Sequence, residues 1–360
     1  MAILDFAKAF DTVPHDRLLS KLAFYGVSGP ILNWVSLFLK TRDQCVVVEG
    51  RRSSTVSVDS GVPQGTVLGP LLFLLHINDL PSVVSSQVRL FADDCLMYRP
   101  IRSGADQACF QQDLAALERW GDAWGMRFNA KKCYIMRISR SRSPFTKFYL
   151  LCDTVLQEVD SAKYLGVTLT NELKWSEHIS ATAKRGNSTL GFIRRNLRSS
   201  PSRLKETAYL SLVRSVLEYG ASIWDPHLSK DSQAIEKIQR RAARFVKSDH
   251  NPTSSVTQLL KDLGWKDLAQ RRRELRLALL YKIVNGHIAV SAADLNLQQA
   301  DRRTRAAHPH KFKHISTSTN EARHFFTART VGDWNKLPAA VVTADTLASF
   351  KTRLAGTAMD

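Results

Sequence analysis

Apolar and polar positions along this chain recur with periods that predict most of its elements. Ala2 to Phe6 is a short apolar run, read as a strand that closes at Asp5. "HDRLLSKLAFYG" and "GPILNWVSLFLKT" repeat apolar residues at helical spacing, each begun or ended by Gly or Pro. "QCVVVEGRRSSTVSVDSG" alternates and turns at Glu49-Gly50, which predicts a β-hairpin. "VPQGTVLGPLLFLLHINDLPSVV" reads as a Gly/Pro-rich turn feeding a buried helix. "RLFADDCLMY", Arg89 to Tyr98, sets two adjacent aspartates between apolar flanks and predicts a further hairpin. "ADQACFQQDLAALERWGDAWGM" is amphipathic, with Phe110, Leu114, Leu117 and Trp120 on one face. "CYIMRIS", "FYLLC" and "KYLGVTL" read as strands. After Trp175 the chain turns helical and basic, as in "SQAIEKIQRRAARFV" and "LAQRRRELRLALLYKIVNG". A basic, His-rich stretch from Asp301 to His324 follows, and the last helical segment is "TLASFKTRLAG". Strands mixed with helices, then helices alone, predict an α+β domain followed by a helical one.

Charge adds a partner to this picture. Among 360 residues, Lys and Arg outnumber Asp and Glu by 51 to 33, a net charge of +18. Such a balance points to a polyanion, nucleic acid before membrane. The longest apolar run, Val67 to Ile77, is too short to span a bilayer and contains a Gly-Pro break, so no membrane partner is expected. Five cysteines, Cys45, Cys95, Cys109, Cys133 and Cys152, are scattered without any CxxC pair. That spacing supports neither a zinc knuckle nor a disulfide framework, and it fits a reducing, intracellular compartment.

Three carboxylates carry the candidate chemistry. Asp5 closes the first strand, and Asp93 and Asp94 sit at the tip of the predicted hairpin. If those strands are neighbours, the acids converge at one edge of a sheet. Hard oxygen ligands, few in number and with room for phosphate oxygens, suit Mg²⁺. Two such ions can activate an attacking hydroxyl and stabilise a leaving group in phosphoryl transfer. The other reading of "ADD" is a turn with solvated acids, and the residues alone leave both open.

The neighbouring segments extend the pattern. "DFAKAFD" (Asp5 to Asp11), "GVPQGTVLGPLLF" (Gly61 to Phe73), "FADD" (Phe91 to Asp94), "WGMRFNAKKC" (Trp124 to Cys133) and "YLGVTL" (Tyr164 to Leu169) occur in that order. The series resembles motifs A to E of reverse transcriptases, specifically those of non-LTR (LINE-type, jockey-like) retrotransposons. "EYGASIWDP", "IEKIQRRAARFV" and "RTVGDWNKLP" resemble segments that follow the polymerase in such elements. The resemblance implies an RNA-directed DNA polymerase that joins dNTPs to a primer 3′-hydroxyl with two Mg²⁺ ions, Mn²⁺ being a substitute. Its partners would be an RNA template and a DNA primer, and its place of action the nucleus. It implies a right-hand polymerase palm, an antiparallel sheet with packed helices, over residues 1–172 with partial fingers. A helical thumb and connecting region would occupy 173–290, and a basic C-terminal extension 291–360.

The same resemblance implies roles. Asp5, the carbonyl of Phe6, Asp93 and Asp94 match the metal site, with Asp93 the stronger candidate of its pair. Phe10 matches the ring that crowds the sugar 2′ position and so favours dNTPs. Pro63, Gln64 and Gly65 match a segment lying close to the incoming nucleotide. Lys132 matches a lysine proposed to protonate the pyrophosphate leaving group. Tyr164, Leu165 and Gly166 look like the hairpin that grips the primer end. Asp11 is expected to cap the following helix or to bond locally. Arg194, Arg195, Arg240, Arg241 and Arg244, with the run Arg271 to Arg273, could neutralise template–primer phosphates. The chain departs from the family where it starts: Asp5 is its fifth residue, whereas the family's fingers and endonuclease lie upstream. A truncated copy, or a reading frame begun at an internal Met, is expected, with weak or no activity in isolation. The alternative is a remnant that binds nucleic acid without catalysis.

Overall fold

The computed structural model describes residues 1–139, 141, 145–300, 308 and 310–357. It divides into two compact units, Met1–Glu172 and Leu173–Asp360. The basic positions 301–307 lie outside the described residues.

The first unit is built on a five-stranded sheet. Strand β1 (Ala2–Leu4) is wholly buried at its centre, flanked by helices α1 (His15–Phe24) and α2 (Gly29–Lys40) in the chain that follows. Helix α3 (Leu68–Ile77) precedes the hairpin β2 (Gln87–Phe91) and β3 (Asp94–Tyr98). Helix α4 (Gly104–Trp124) leads to β4 (Tyr134–Ile135) and β5 (Gln157–Glu158). The spatial order is β5-β4-β1-β3-β2, antiparallel except for the parallel β5–β4 pair. β1 therefore lies beside the hairpin strand β3, with Ile3 opposite Leu96 and Leu4 opposite Cys95. Phe110, Leu114, Leu117 and Trp120 of α4 all turn into the core, as the amphipathic pattern predicts. Ser103 caps α4 by accepting from the Asp106 backbone N–H. Gly125 ends it at φ 73, where a Cβ would lie 2.4 Å from Pro14 Cγ. Only glycine fits both demands.

Two expectations are modified. The run around α3 buries one face, Gly69, Leu72, Phe73, His76 and Ile77, and leaves Leu71 and Leu74 about half exposed. A helix apolar all round carries no moment to say which face turns inward. "KYLGVTL" is not a single strand. It folds into a hairpin, β6 (Ser161–Tyr164) and β7 (Val167–Thr170), because Leu165 and Gly166 take φ 45 and 79. Two successive positive-φ residues make the tight turn whose twist suits a hairpin. The alternating run near Glu49-Gly50 does form the expected hairpin, in two short exposed ladders.

In the second unit the described residues form helices and no strand longer than an isolated bridge. Its main helices are α5 (Ser176–Asn196), α6 (Ser202–Ala208), α7 (Ser229–Lys247), α8 (Leu268–Val284), α9 (Phe326–Trp334) and α10 (Leu347–Ala355). Residues of α8, α9 and α10 share one core around Leu277, Tyr281, Trp334 and Phe350. The arginine run of α8 is structural. Buried Arg272 and Arg276 each donate Nε to Asp225 at 2.8 Å, and Arg276 also reaches Asp333 at 3.0 Å. Arg271 pairs with Glu218 and Arg273 with Asp333. The expectation that Arg271 to Arg273 grip phosphates is corrected accordingly: their charges are met inside the unit.

Candidate active site

The acids meet where β1 and the β2–β3 hairpin end together. Leu4 pairs with Cys95, so the next step along both strands brings Asp5 level with Asp94. Asp93 lies in the turn between Phe91 and Asp94, which Ala92 enters at φ 51. Asp94 is the sensor of this arrangement. Its carboxyl is raised above the usual range, first by burial, then by the negative charges of Asp93 and Asp5. All three acids therefore act on one locality. Lys132 supplies a counter-charge, with Nζ 3.6 Å from Asp5 Oδ2. Tyr164 of the β6–β7 hairpin is present too: its hydroxyl is raised by burial and then by Asp94 and Cys95. Leu165 and Gly166 form the tip of that hairpin.

The backbone around Asp5 is clamped from the segment after α4. Asn129 N–H donates to Asp5 O at 2.8 Å, and Ala7 N–H donates to Arg127 O at 2.8 Å. Asp5 N–H donates to Cys133 Sγ at 3.3 Å. Cys133 is buried, and burial pushes its thiol up to about 11, so it stays a neutral partner. Phe6 is buried and stacks on Phe128 with ring centroids 4.3 Å apart. Among the described residues, no group of three or more His, Cys, Asp or Glu is drawn together as a metal cage. The donor type nonetheless suits a hard cation: Asp5 and Asp94 stand level across the β1–β3 register and Asp93 lies in the adjoining turn, all three offering carboxylate oxygens.

A second group of the expected residues surrounds Asp11. Gln64 Nε2 donates to Asp11 Oδ1 at 2.8 Å. Asp11 therefore neither caps α1 nor bonds locally; Pro14 holds the cap position and offers no side-chain bond. Phe10 is half-buried, its ring stacked on Phe73 with centroids 4.3 Å apart. Backbone bonds join these segments: Val62 N–H to Phe10 O and Gly61 N–H to Val13 O, each 2.8 Å. Gly61 makes this possible. It sits at φ 89, and a Cβ there would meet Asp11 O at 2.8 Å. Pro63 is buried, whereas Gln64 and Gly65 are exposed. At Gly65 a Cβ would meet nothing, so that glycine answers to its φ of 77 and not to crowding. Lys8, at φ 50, joins Ala92 and Leu165 as non-glycine residues in the left-handed region near these segments.

The expected phosphate-gripping arginines belong to the second unit. Arg194 and Arg195 are exposed in the last turn of α5. On α7, Arg240 is half-exposed and Arg241 donates to Asn187 Oδ1 at 2.8 Å. Arg244 is spent on structure, bonding the carbonyls of Asn251 (2.6 Å) and Ser254 (3.0 Å). Sequence reasoning missed Cys133, Asn129 and Gly61. Only Gly61 left a signal, as a turn residue ahead of a buried segment.

Residues 1–169 match the model of a family described as "Reverse transcriptase (RNA-dependent DNA polymerase)". Curated proteins to which the chain is similar are RNA-directed DNA polymerases of transposons and mobile elements. It is 29% identical over 265 residues to a "Probable RNA-directed DNA polymerase from transposon BS" of Drosophila melanogaster, covering 68% of this chain and 28% of that protein. It is 28% identical over 339 residues to the "RNA-directed DNA polymerase from mobile element jockey" of the same fly, covering 87% and 36%. The chain thus spans about a third of the length of such relatives. Among solved structures, a telomerase from Candida tropicalis in complex with a fragment of telomeric RNA aligns with TM-score 0.40 and 10% identity, covering 74% of this chain and 40% of that one.

Proposed function

We propose that this chain carries the catalytic core of an RNA-directed DNA polymerase of a non-LTR retrotransposon. The observation that supports it most is the β1–β3 register, which brings Asp5 level with Asp94 beside the turn that carries Asp93, with Lys132 Nζ 3.6 Å from Asp5. In this reading the first unit is the palm, residues 173–290 contribute a thumb, and 291–360 a basic extension. Template RNA, DNA primer and dNTPs are the substrates, and chromosomal DNA in the nucleus is the setting.

Asp5, Asp93 and Asp94, with the carbonyl of Phe6, would hold two Mg²⁺ ions. When bound, these supply charge for activating the primer hydroxyl and stabilising the leaving oxygen. The chain's own groups do the rest. Lys132 neutralises Asp5 and is exposed enough to swing toward the leaving pyrophosphate and deliver a proton from Nζ. Phe10, fixed by Phe73, presents a ring edge that leaves no room for a 2′-hydroxyl. Gln64 lies ready at the nucleotide, oriented by Asp11. Tyr164 and the Leu165-Gly166 turn bring the primer end to the acids. The test is primer extension on poly(rA)·oligo(dT) with dTTP and Mg²⁺ or Mn²⁺. Slow incorporation that disappears in Asp5→Asn and Asp93→Asn, with hybrid binding retained, supports the reading. Hybrid binding with no incorporation in the unaltered chain defeats it.

A further inference from the structure

A cavity of about 400 Å³ opens in the first unit, at the end of the sheet away from the acids. Asp94 begins β3 and Tyr98 ends it, so the Tyr98 wall of the cavity lies roughly 13 Å along the strand from the candidate active site. Tyr98, Phe110, Ile135 and Tyr149 form its walls. Phe110 and Tyr149 are buried and meet edge to face, with ring centroids 5.0 Å apart. A space of this size with aromatic and aliphatic walls has the character of a small-molecule site. Its charge is one-sided. Among the described residues the lining includes Arg99 and Arg137 and no acidic side chain. Arg137 donates Nη2 to Glu158 Oε2 at 2.8 Å, and Arg99 donates Nη1 to Ser85 Oγ at 2.9 Å. Asp106 and Asp113 stand 3.7 and 3.9 Å from Arg99, and both also accept backbone N–H groups. A guanidinium carries five N–H donors in a plane. Each arginine therefore has donors beyond the bonds it makes, and both are partly exposed at the edge of an apolar space.

We infer that this cavity binds a small aromatic anion, a ring-sized apolar body bearing a single oxyanion head group. The rings fill the space between Phe110, Ile135 and Tyr149. The head group accepts from Arg137, with Arg99 adding charge. A planar guanidinium fork matches a carboxylate or sulfonate and repels an ammonium, so the lining selects the sign of the head group. Such binding needs neither metal nor nucleic acid, and it stands apart from the proposed polymerase activity.

Fluorescence titration of the full chain with anilinonaphthalene sulfonate, an aromatic body with one sulfonate, tests it. Neutral N-phenyl-1-naphthylamine offers similar rings without the charge. The unaltered chain is expected to bind the sulfonate at one saturable site. Arg137→Met keeps an apolar stem and leaves half-exposed Glu158 in water. It should weaken the sulfonate about tenfold and the neutral probe less than about twofold. Ile138→Trp enlarges a lining residue that is 43% exposed, and should abolish binding of both probes. Trp34→Ser removes an exposed apolar residue that does not line the cavity, and should change neither. Binding that survives Ile138→Trp, or that falls with Trp34→Ser, puts the probe on a surface patch and would overturn the inference. So would equal weakening of both probes in Arg137→Met, which leaves an apolar cavity with no preference for an anion. Absence of saturable sulfonate binding to the unaltered chain would overturn it as well.

Discussion

Replacing Asp225 by Ala removes the anion on which the second unit's buried cations converge. Asp225 accepts from Arg272 and Arg276 at 2.8 Å each, and Arg329 Nη1 lies 3.2 Å away. Arg272 and Arg276 are 1% and 2% exposed, so neither can regain water without opening the fold. Breaking a buried pair by removing one partner costs about 3–5 kcal/mol, most of it the stranded charge. Arg276 keeps Asp333 at 3.0 Å, but Arg272 is left with the Ser232 hydroxyl. A cost of about 4 kcal/mol is therefore expected. With a urea slope of about 2 kcal/mol per molar, the unfolding midpoint of this unit falls by about 2 M. Hydrogen exchange read by peptide assigns the change to its unit: α8 and α9 lose protection, while β1 to β3 do not. Arg272→Met is the comparison, and its cost is smaller because Asp225 retains two guanidiniums. A fall under about 0.5 M for Asp225→Ala, or a larger cost for Arg272→Met, would refute the reasoning.

Three further outcomes are expected. His76 is fully buried, and burial followed by the Lys21 charge lowers its imidazole to about 4. The unfolded chain then binds the extra proton first, so this contribution is complete above pH ~6.5 and is lost as pH falls toward ~4. Urea midpoints of the first unit should drop across that window, and less steeply in His76→Leu; equal slopes would count against it. Gly61→Ala strains a φ of 89 and drives a Cβ to 2.8 Å from Asp11 O, and should destabilise the first unit by about 1–3 kcal/mol in the same assay; a neutral result would show the clamp is not tight. Asp11→Ala frees Gln64 and should raise KM for dTTP about 3- to 10-fold in extension assays, while Asp11→Asn recovers part of the loss; an unchanged KM would remove Asp11 as a positioning residue.

Much of the fold was legible because its periods are strong. The stripe Phe110, Leu114, Leu117 and Trp120 named both the helix and its buried face. Asp93 and Asp94 could be placed on a hairpin because apolar alternation flanks them. What sequence could not show was which strand lies beside which: the β1–β3 pairing that brings Asp5 to Asp94 joins positions far apart in the chain. Nor could it separate free from engaged arginines. Arg194 and Arg272 look alike in sequence, yet one is exposed and the other lies at 1% exposure against Asp225. Cys133 gave no signal, since a buried thiol bonding a backbone N–H has no periodicity.

Asp5, Asp93 and Asp94 are proposed to act together in nucleotidyl transfer. Primer extension on poly(rA)·oligo(dT), run with the unaltered chain, Asp5→Asn and Asp93→Asn at matched hybrid occupancy, tests it most directly. Slow incorporation of dTTP is expected from the unaltered chain and none from the two variants, with all three proteins binding the hybrid equally. Incorporation that persists in Asp5→Asn, or that is absent from a unaltered chain saturated with hybrid and metal, would contradict it.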